Sequence, residues 1–267
     1  MSGLTIPAFS WKGQILDTIQ TATLVGVGVF GGAWNAIAGG ATLLTFPALM
    51  VLGLPPMTAN ATNYLALLPS NAAALPAYRG ELRGLGRALP PLLAVSGLGA
   101  MLGSALLVIS DPELFVMLIP FLILFATILF AFGNRLREQL LRLVGETRSR
   151  TLIFAALFVF SIYGGYFGAG LGIILLAITQ MLGFSDFHVA NSIKNLLATS
   201  FTILSIVVFG VGGLIAWPEA IAMMAGSAIG GYAGGRLARQ INPANLRGAV
   251  IMFGLILSVV YFARTFR

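Results

Sequence analysis

LFVMLIPFLILFATILFAF, residues Leu114–Phe132, is an unbroken apolar run without a charge. A helix rises about 1.5 Å per residue, so such a run crosses a hydrocarbon core of about 30 Å. A second uncharged run, Leu152–Phe184, is longer still. Outward from these two, apolar segments are read at 18–38, 41–53, 58–78, 86–109, 114–133, 152–169, 170–183, 188–210, 216–235 and 246–263. The expected fold is an all-α integral membrane protein, a polytopic helix bundle with roughly eight to ten crossings.

Composition agrees. Apolar residues make up 58% of the 267 positions and charged residues 9%. A soluble domain carries about 25% charged residues, so lipid must solvate much of this exterior. The net charge of +7 sits mainly in short loops, where it orients membrane helices rather than marking a nucleic-acid surface. Cysteine is absent and there is one histidine, which excludes disulfides, thiolate metal sites and multi-histidine centres. Phe9, Trp11 and Lys12 read as an interfacial anchor.

Glycines interrupt the apolar segments at two places. Gly26, Gly28, Gly31, Gly32, Gly39 and Gly40 form one cluster; Gly164, Gly165, Gly168, Gly170 and Gly172 form the other. Each is expected to hold broken backbone, either as one broken span with a re-entrant piece or as two short crossings. Backbone groups freed at membrane depth must be buried in protein or face a wet cavity.

The chain also repeats. Trp34–Gly53 aligns with Gly164–Gly183, and Ala59–Phe115 aligns without a gap on Ala190–Leu246. Asn60 meets Asn191, and Ser96, Gly99, Gly103 and Pro112 meet Ser227, Gly230, Gly234 and Pro243. The organisation read from this is a first membrane repeat (1–133), a basic cytoplasmic linker (134–150) and a second membrane repeat (151–267). Arg79, Arg83 and Arg87 fill a loop whose second-half counterpart has no basic residue, whereas Arg236, Arg239 and Arg247 appear at the opposite end. The positive-inside tendency then gives inverted repeats of about five segments each, with the glycine-broken stretch counted as two. A parallel four-plus-four arrangement is the alternative.

All eight acidic residues lie in loops or at segment ends. That argues against a carboxylate relay and against a membrane hydrolase with paired carboxylates. No catalytic residues are assigned. Lys194 is the one basic residue well inside an apolar segment, in Ala190-Asn191-Ser192-Ile193-Lys194-Asn195. The matching stretch of the first half is Ala59-Asn60-Ala61-Thr62-Asn63-Tyr64. Lys194, Asn60, Asn63, Asn191 and Asn195, with Gly40 and Gly170 at half-helix starts, are the candidate substrate-binding residues for a small anion. The competing reading is a snorkelling lysine whose stem reaches the interface. Gly99, Gly103, Gly226, Gly230 and Gly234 read as packing faces. His188 beside Asp186 reads as a polar helix boundary.

Together, Gly39-Gly40-Ala41-Thr42-Leu43-Leu44-Thr45-Phe46-Pro47-Ala48-Leu49, Gly165-Tyr166-Phe167-Gly168-Ala169-Gly170 and the polar-started helices at Asn60–Asn63 and Asn191–Asn195 resemble the TauE/SafE family, the sulfite-exporter or TSUP permeases. Family members have a proline in both halves; here Pro47 is matched by Ala177. The resemblance implies a bacterial inner-membrane permease, an exporter of sulfite, sulfonates or sulfoacetate. The alternatives are an integral membrane enzyme and a membrane scaffold subunit. Expected partners are a small anionic substrate, the lipid bilayer and, as an assembly open to the chain, a homodimer. Nucleic acid is not among them, and no metal or other cofactor is expected.

Overall fold

The computed structural model describes residues 16–37, 40–72, 75–147, 149–184, 186–237 and 243–266. Expectations resting on Phe9, Trp11, Lys12, Ala38, Gly39, Arg239 and Asn242 lie outside the described residues. Those described form α1 (Thr18–Ile37), α2 (Thr42–Val51), α3 (Pro56–Ala72), α4 (Arg79–Arg83), α5 (Leu89–Ile109), α6 (Pro112–Thr147), α7 (Arg150–Tyr166), α8 (Leu171–Met181), α9 (Phe187–Val211), α10 (Trp217–Leu237) and α11 (Pro243–Thr265). A 3-10 turn, Leu75–Tyr78, leads into α4, and no strand occurs among the described residues.

Among the described residues, four stretches are long and apolar enough to cross a bilayer by themselves: Leu89–Ile109, Pro112–Gly133, His188–Val211 and Gly248–Thr265. The helices α2 and α8 have 10 and 11 residues, a rise of about 15–17 Å, which is half of a hydrocarbon core. The segment 134–147, read from sequence as linker, continues α6, whose 36 residues rise about 54 Å. Its Leu, Arg, Glu and Gln residues are strong helix formers, so nothing stops the helix at the end of the apolar run. Asp186 caps α9 by accepting from Val189 N at 2.9 Å, which accounts for the polar boundary beside His188.

Contact register gives the helix directions. Along the α1–α10 seam, Gly226, Gly230 and Gly234 lie against Val25, Val29 and Ala33, so the two helices are parallel. A side chain at Gly230 would overlap the Val29 carbonyl; small residues let the backbones touch. Helix α3 joins this set. Ser227 Oγ donates to the Ala66 carbonyl, and Gly231 faces Ser70. In a second set, Gly99 meets Phe158 and Ser161 while Gly103 meets Ile162, making α5 and α7 parallel. Gly97 against Leu204 and Gly212 against Val108 align α9 with them.

The two sets run in opposite directions. On α3, Asn60 reaches the Tyr166 carbonyl and Tyr64, one turn later, reaches back to that of Gly164. Helix α6 runs antiparallel to α11, with Thr127 at Gly254 and Phe121 on Phe262. Ile109, Phe121, Val211, Ile229 and Val259 are exposed around the bundle, the apolar exterior that lipid would cover.

Candidate functional site

Two helix breaks face one stretch of α6. Between α1 and α2 the chain turns at Gly40, with φ of 75°, and between α7 and α8 it turns at Gly168 and Gly170, with φ of 73° and 78°. These left-handed values suit glycine and cost other residues about 1–2 kcal/mol. A Cβ on Gly40 would enter the Phe130 ring, while one on Gly170 would lie 3.4 Å from the Ala126 carbonyl and 3.5 Å from Leu129. Both breaks therefore back onto Ala126–Phe130.

At the second break, the last carbonyls of α7 lose their helical partners. Other donors replace them. Asn60 Nδ2 donates to the Tyr166 carbonyl at 2.9 Å. The Tyr64 hydroxyl donates to that of Gly164, and Ser104 Oγ shares its proton between the Ala100 carbonyl at 2.8 Å and that of Gly165 at 3.3 Å. Tyr163 OH donates forward to the Ala169 carbonyl at 2.7 Å. Broken backbone is held in the apolar interior because α3, α5 and α7 supply these groups.

At the first break the polar groups satisfy one another. Thr45 Oγ1 donates to Asn63 Oδ1 at 2.6 Å, and Asn63 Nδ2 donates to Thr42 Oγ1 at 3.3 Å. Asn60 and Asn63 are fully buried. Neither α2 nor α8 has a side-chain N-cap, so first-turn amides at both breaks carry the partial positive charge of a helix start.

Lys194 stands on α9 about 10 Å from its first residue. Its Cδ lies 4.0 Å from where a Cβ on Gly172 would be, so its stem runs over the first turn of α8. Lys194 and Asn195 are half-buried. Lys194 makes no hydrogen bond or ion pair among the described residues. An ammonium thus stands beside a helix end of the same polarity, with no carboxylate paired to it among the described residues.

Similarity to known proteins follows the same stretch of chain. The family model for the sulfite exporter TauE/SafE matches residues 24–261. The chain belongs to the TauE/SafE family. A "Probable membrane transporter protein" of Haemophilus influenzae is 32% identical over 241 residues, covering 89% of this chain and 92% of the relative. The "Probable membrane transporter protein YfcA" of Escherichia coli K12 is 28% identical over 248 residues, covering 91% and 90%. A Sinorhizobium protein, "Probable membrane transporter protein ORF9", is 26% identical over 232 residues, covering 85% and 87%. No solved structure matches the chain.

In this TauE/SafE chain the sequence-predicted residues fall into three groups. Gly40 and Gly170 form the turns, against α6. Asn60, Asn63 and Asn191 are each engaged within the protein. Lys194 and Asn195 lie on α9, outside hydrogen-bonding contact with Asn60 or Asn63. Sequence reasoning missed Tyr64, Ser104, Tyr163, Thr42 and Thr45. Tyr64 was within reach of it, because it follows Asn60 by four residues and so shares its helix face.

Proposed function

We propose that this TauE/SafE protein is a secondary transporter that exports small sulfur-containing anions, such as sulfite, sulfonates or sulfoacetate, across the bacterial inner membrane. The observation that carries the reading is the Lys194 ammonium, unpaired beside the uncapped start of α8 at a helix break. An isolated charge in a low-dielectric interior is costly, and an anion held between the ammonium and the helix amides relieves both. The sulfur chemistry rests on the family description.

The proposed frame is two inverted repeats, 1–133 and 151–267, joined by the basic segment 134–150 on the cytoplasmic side. The opposite course of the α1, α3, α10 set and the α5, α7, α9 set supports it, as do the like pairings of α1 with α10 and of α7 with α5. Half-length helices meeting a substrate near the midplane are a recurrent transporter design.

Purified protein in proteoliposomes tests the activity. Sulfite, taurine or sulfoacetate is expected to move at rates well above empty vesicles, and Lys194→Met to abolish most of that flux. Flux equal to empty vesicles for all three anions would refute the substrate assignment. Cysteines introduced at Gly84 and Asn242 test the frame, because the natural chain has none. Both are expected to react with an impermeant thiol reagent from the same side.

A further inference from the structure

Asn60 is fully buried on α3, and its two amide atoms have different fates. Nδ2 donates to the Tyr166 carbonyl at 2.9 Å. That bond fixes the orientation of the amide, since a flipped group would set two acceptors against each other. Oδ1 is left with no hydrogen-bond partner among the described residues. A buried amide oxygen without a donor loses its hydration for nothing in return.

The place of this acceptor gives it meaning. Tyr166 is the last residue of α7, and the chain then turns through Gly168 and Gly170 into α8. Groups able to meet an anion around that turn are donors: the Lys194 ammonium and the Gly172 amide, since the Leu171 and Ile173 amides of the first turn of α8 already donate to the Gly168 and Gly170 carbonyls. Asn60 Oδ1 is of the opposite kind. A fully deprotonated inorganic anion offers it nothing, whereas a substrate with an anionic head and an O–H or N–H at its other end satisfies both.

We propose that Asn60 Oδ1 is an acceptor subsite for a hydrogen-bond donor on the transported anion, so that the preferred substrates are short sulfonates bearing a hydroxyl or ammonium group. This rests on the anion site proposed above and adds the second contact that selects within the class. Donor and acceptor ends then fix the substrate's orientation as well as its charge. Sites built to pair a substrate hydroxyl discriminate strongly against the analogue that lacks it, because the buried partner stays unpaired.

Three probes of one carbon skeleton test it: ethanesulfonate, 2-hydroxyethanesulfonate and 2-aminoethanesulfonate. Binding to the purified full-length protein is measured by titration, with thermal melting as the control for folding. Hydroxyl and ammonium probes are expected to bind at least about tenfold tighter than ethanesulfonate, the value of roughly one buried hydrogen bond. In Asn60→Ala that ratio falls toward one. In Lys194→Met all three weaken together and the ratio persists. Equal affinity of the three probes for the wild-type protein overturns the inference while leaving the anion site standing, and it does so even if Asn60→Ala fails to fold. Absence of binding by any of the three, in a protein that melts cooperatively, removes the sulfonate reading and this inference with it.

Discussion

The two helix breaks back onto one stretch of α6 and have different contents. At the first, Asn63 reaches from α3 to Thr42 at the start of α2, and Thr45 closes the circle. At the second, the aligned residue is Lys194, and the position matching Thr42 is Gly172, over which the lysine stem passes. An asparagine facing a threonine is self-sufficient. A lysine facing a glycine has room for its stem but no hydrogen-bond partner among the described residues. The contrast separates a break that is closed by its own side chains from one that leaves a cation unpaired among the described residues, although both back onto one stretch of α6.

Packing differs in the same sense, and substitutions can sharpen the comparison. Gly40→Leu carries the largest expected effect. It combines a left-handed backbone with collision into the Phe130 ring, a loss of about 3–5 kcal/mol from strain and overpacking. Melting in detergent should fall steeply and transport with it, far more than for leucine at a lipid-facing position. A wild-type melting curve would show that the break has room the geometry denies. Tyr64→Phe comes next. Leaving the Gly164 carbonyl without its hydroxyl donor should cost about 1–3 kcal/mol, and an unchanged melting temperature would contradict the carbonyl accounting at the second break.

Gly170→Ala should be milder, because its Cβ would meet neighbours at ordinary contact distances and only the backbone strain of about 1–2 kcal/mol remains. If it proved as damaging as Gly40→Leu, the two breaks would be equally tight and the packing contrast would fail. Thr42→Val is the smallest. It gives up a 3.3 Å hydrogen bond whose donor, Asn63, keeps its contact with Thr45 through Oδ1. That leaves Asn63 Nδ2 without its acceptor, and a loss of about 1 kcal/mol, at the low end because the bond is long, with near-normal flux is expected. Abolished flux in a normally melting Thr42→Val would move substrate contact to the first break.

How much of this was legible in the sequence follows from the kind of force involved. Charge-free runs such as Leu114–Phe132 announce membrane helices because lipid tolerates nothing else. Of the glycine clusters, Gly40, Gly168 and Gly170 mark the breaks, whereas Gly28, Gly32 and Gly165 lie inside α1 and α7 where a neighbouring backbone comes close; left-handed turns and close approach both favour glycine. Two features were not readable. Helix α6 runs on through 134–147, because the end of an apolar run marks the membrane surface and not the end of a helix. The partners of Asn60 and Asn63 come from α7 and α2, and only folding decides that Asn63 is satisfied at both amide atoms while Asn60 is engaged through Nδ2 alone. Lys194 stood out by isolation alone, a property of composition that needs no tertiary information.

The proposed transport rests on the Lys194 ammonium holding the substrate's negative charge at the second break. Titration of sulfite into wild-type, Lys194→Met and Lys194→Arg proteins, each checked for an unchanged melting curve, tests it most directly. The account predicts binding at least about tenfold weaker for methionine, the counterpart of about 1.4 kcal/mol, with arginine between the two. Wild-type affinity in a normally folded Lys194→Met would contradict it and make Lys194 a snorkelling lysine.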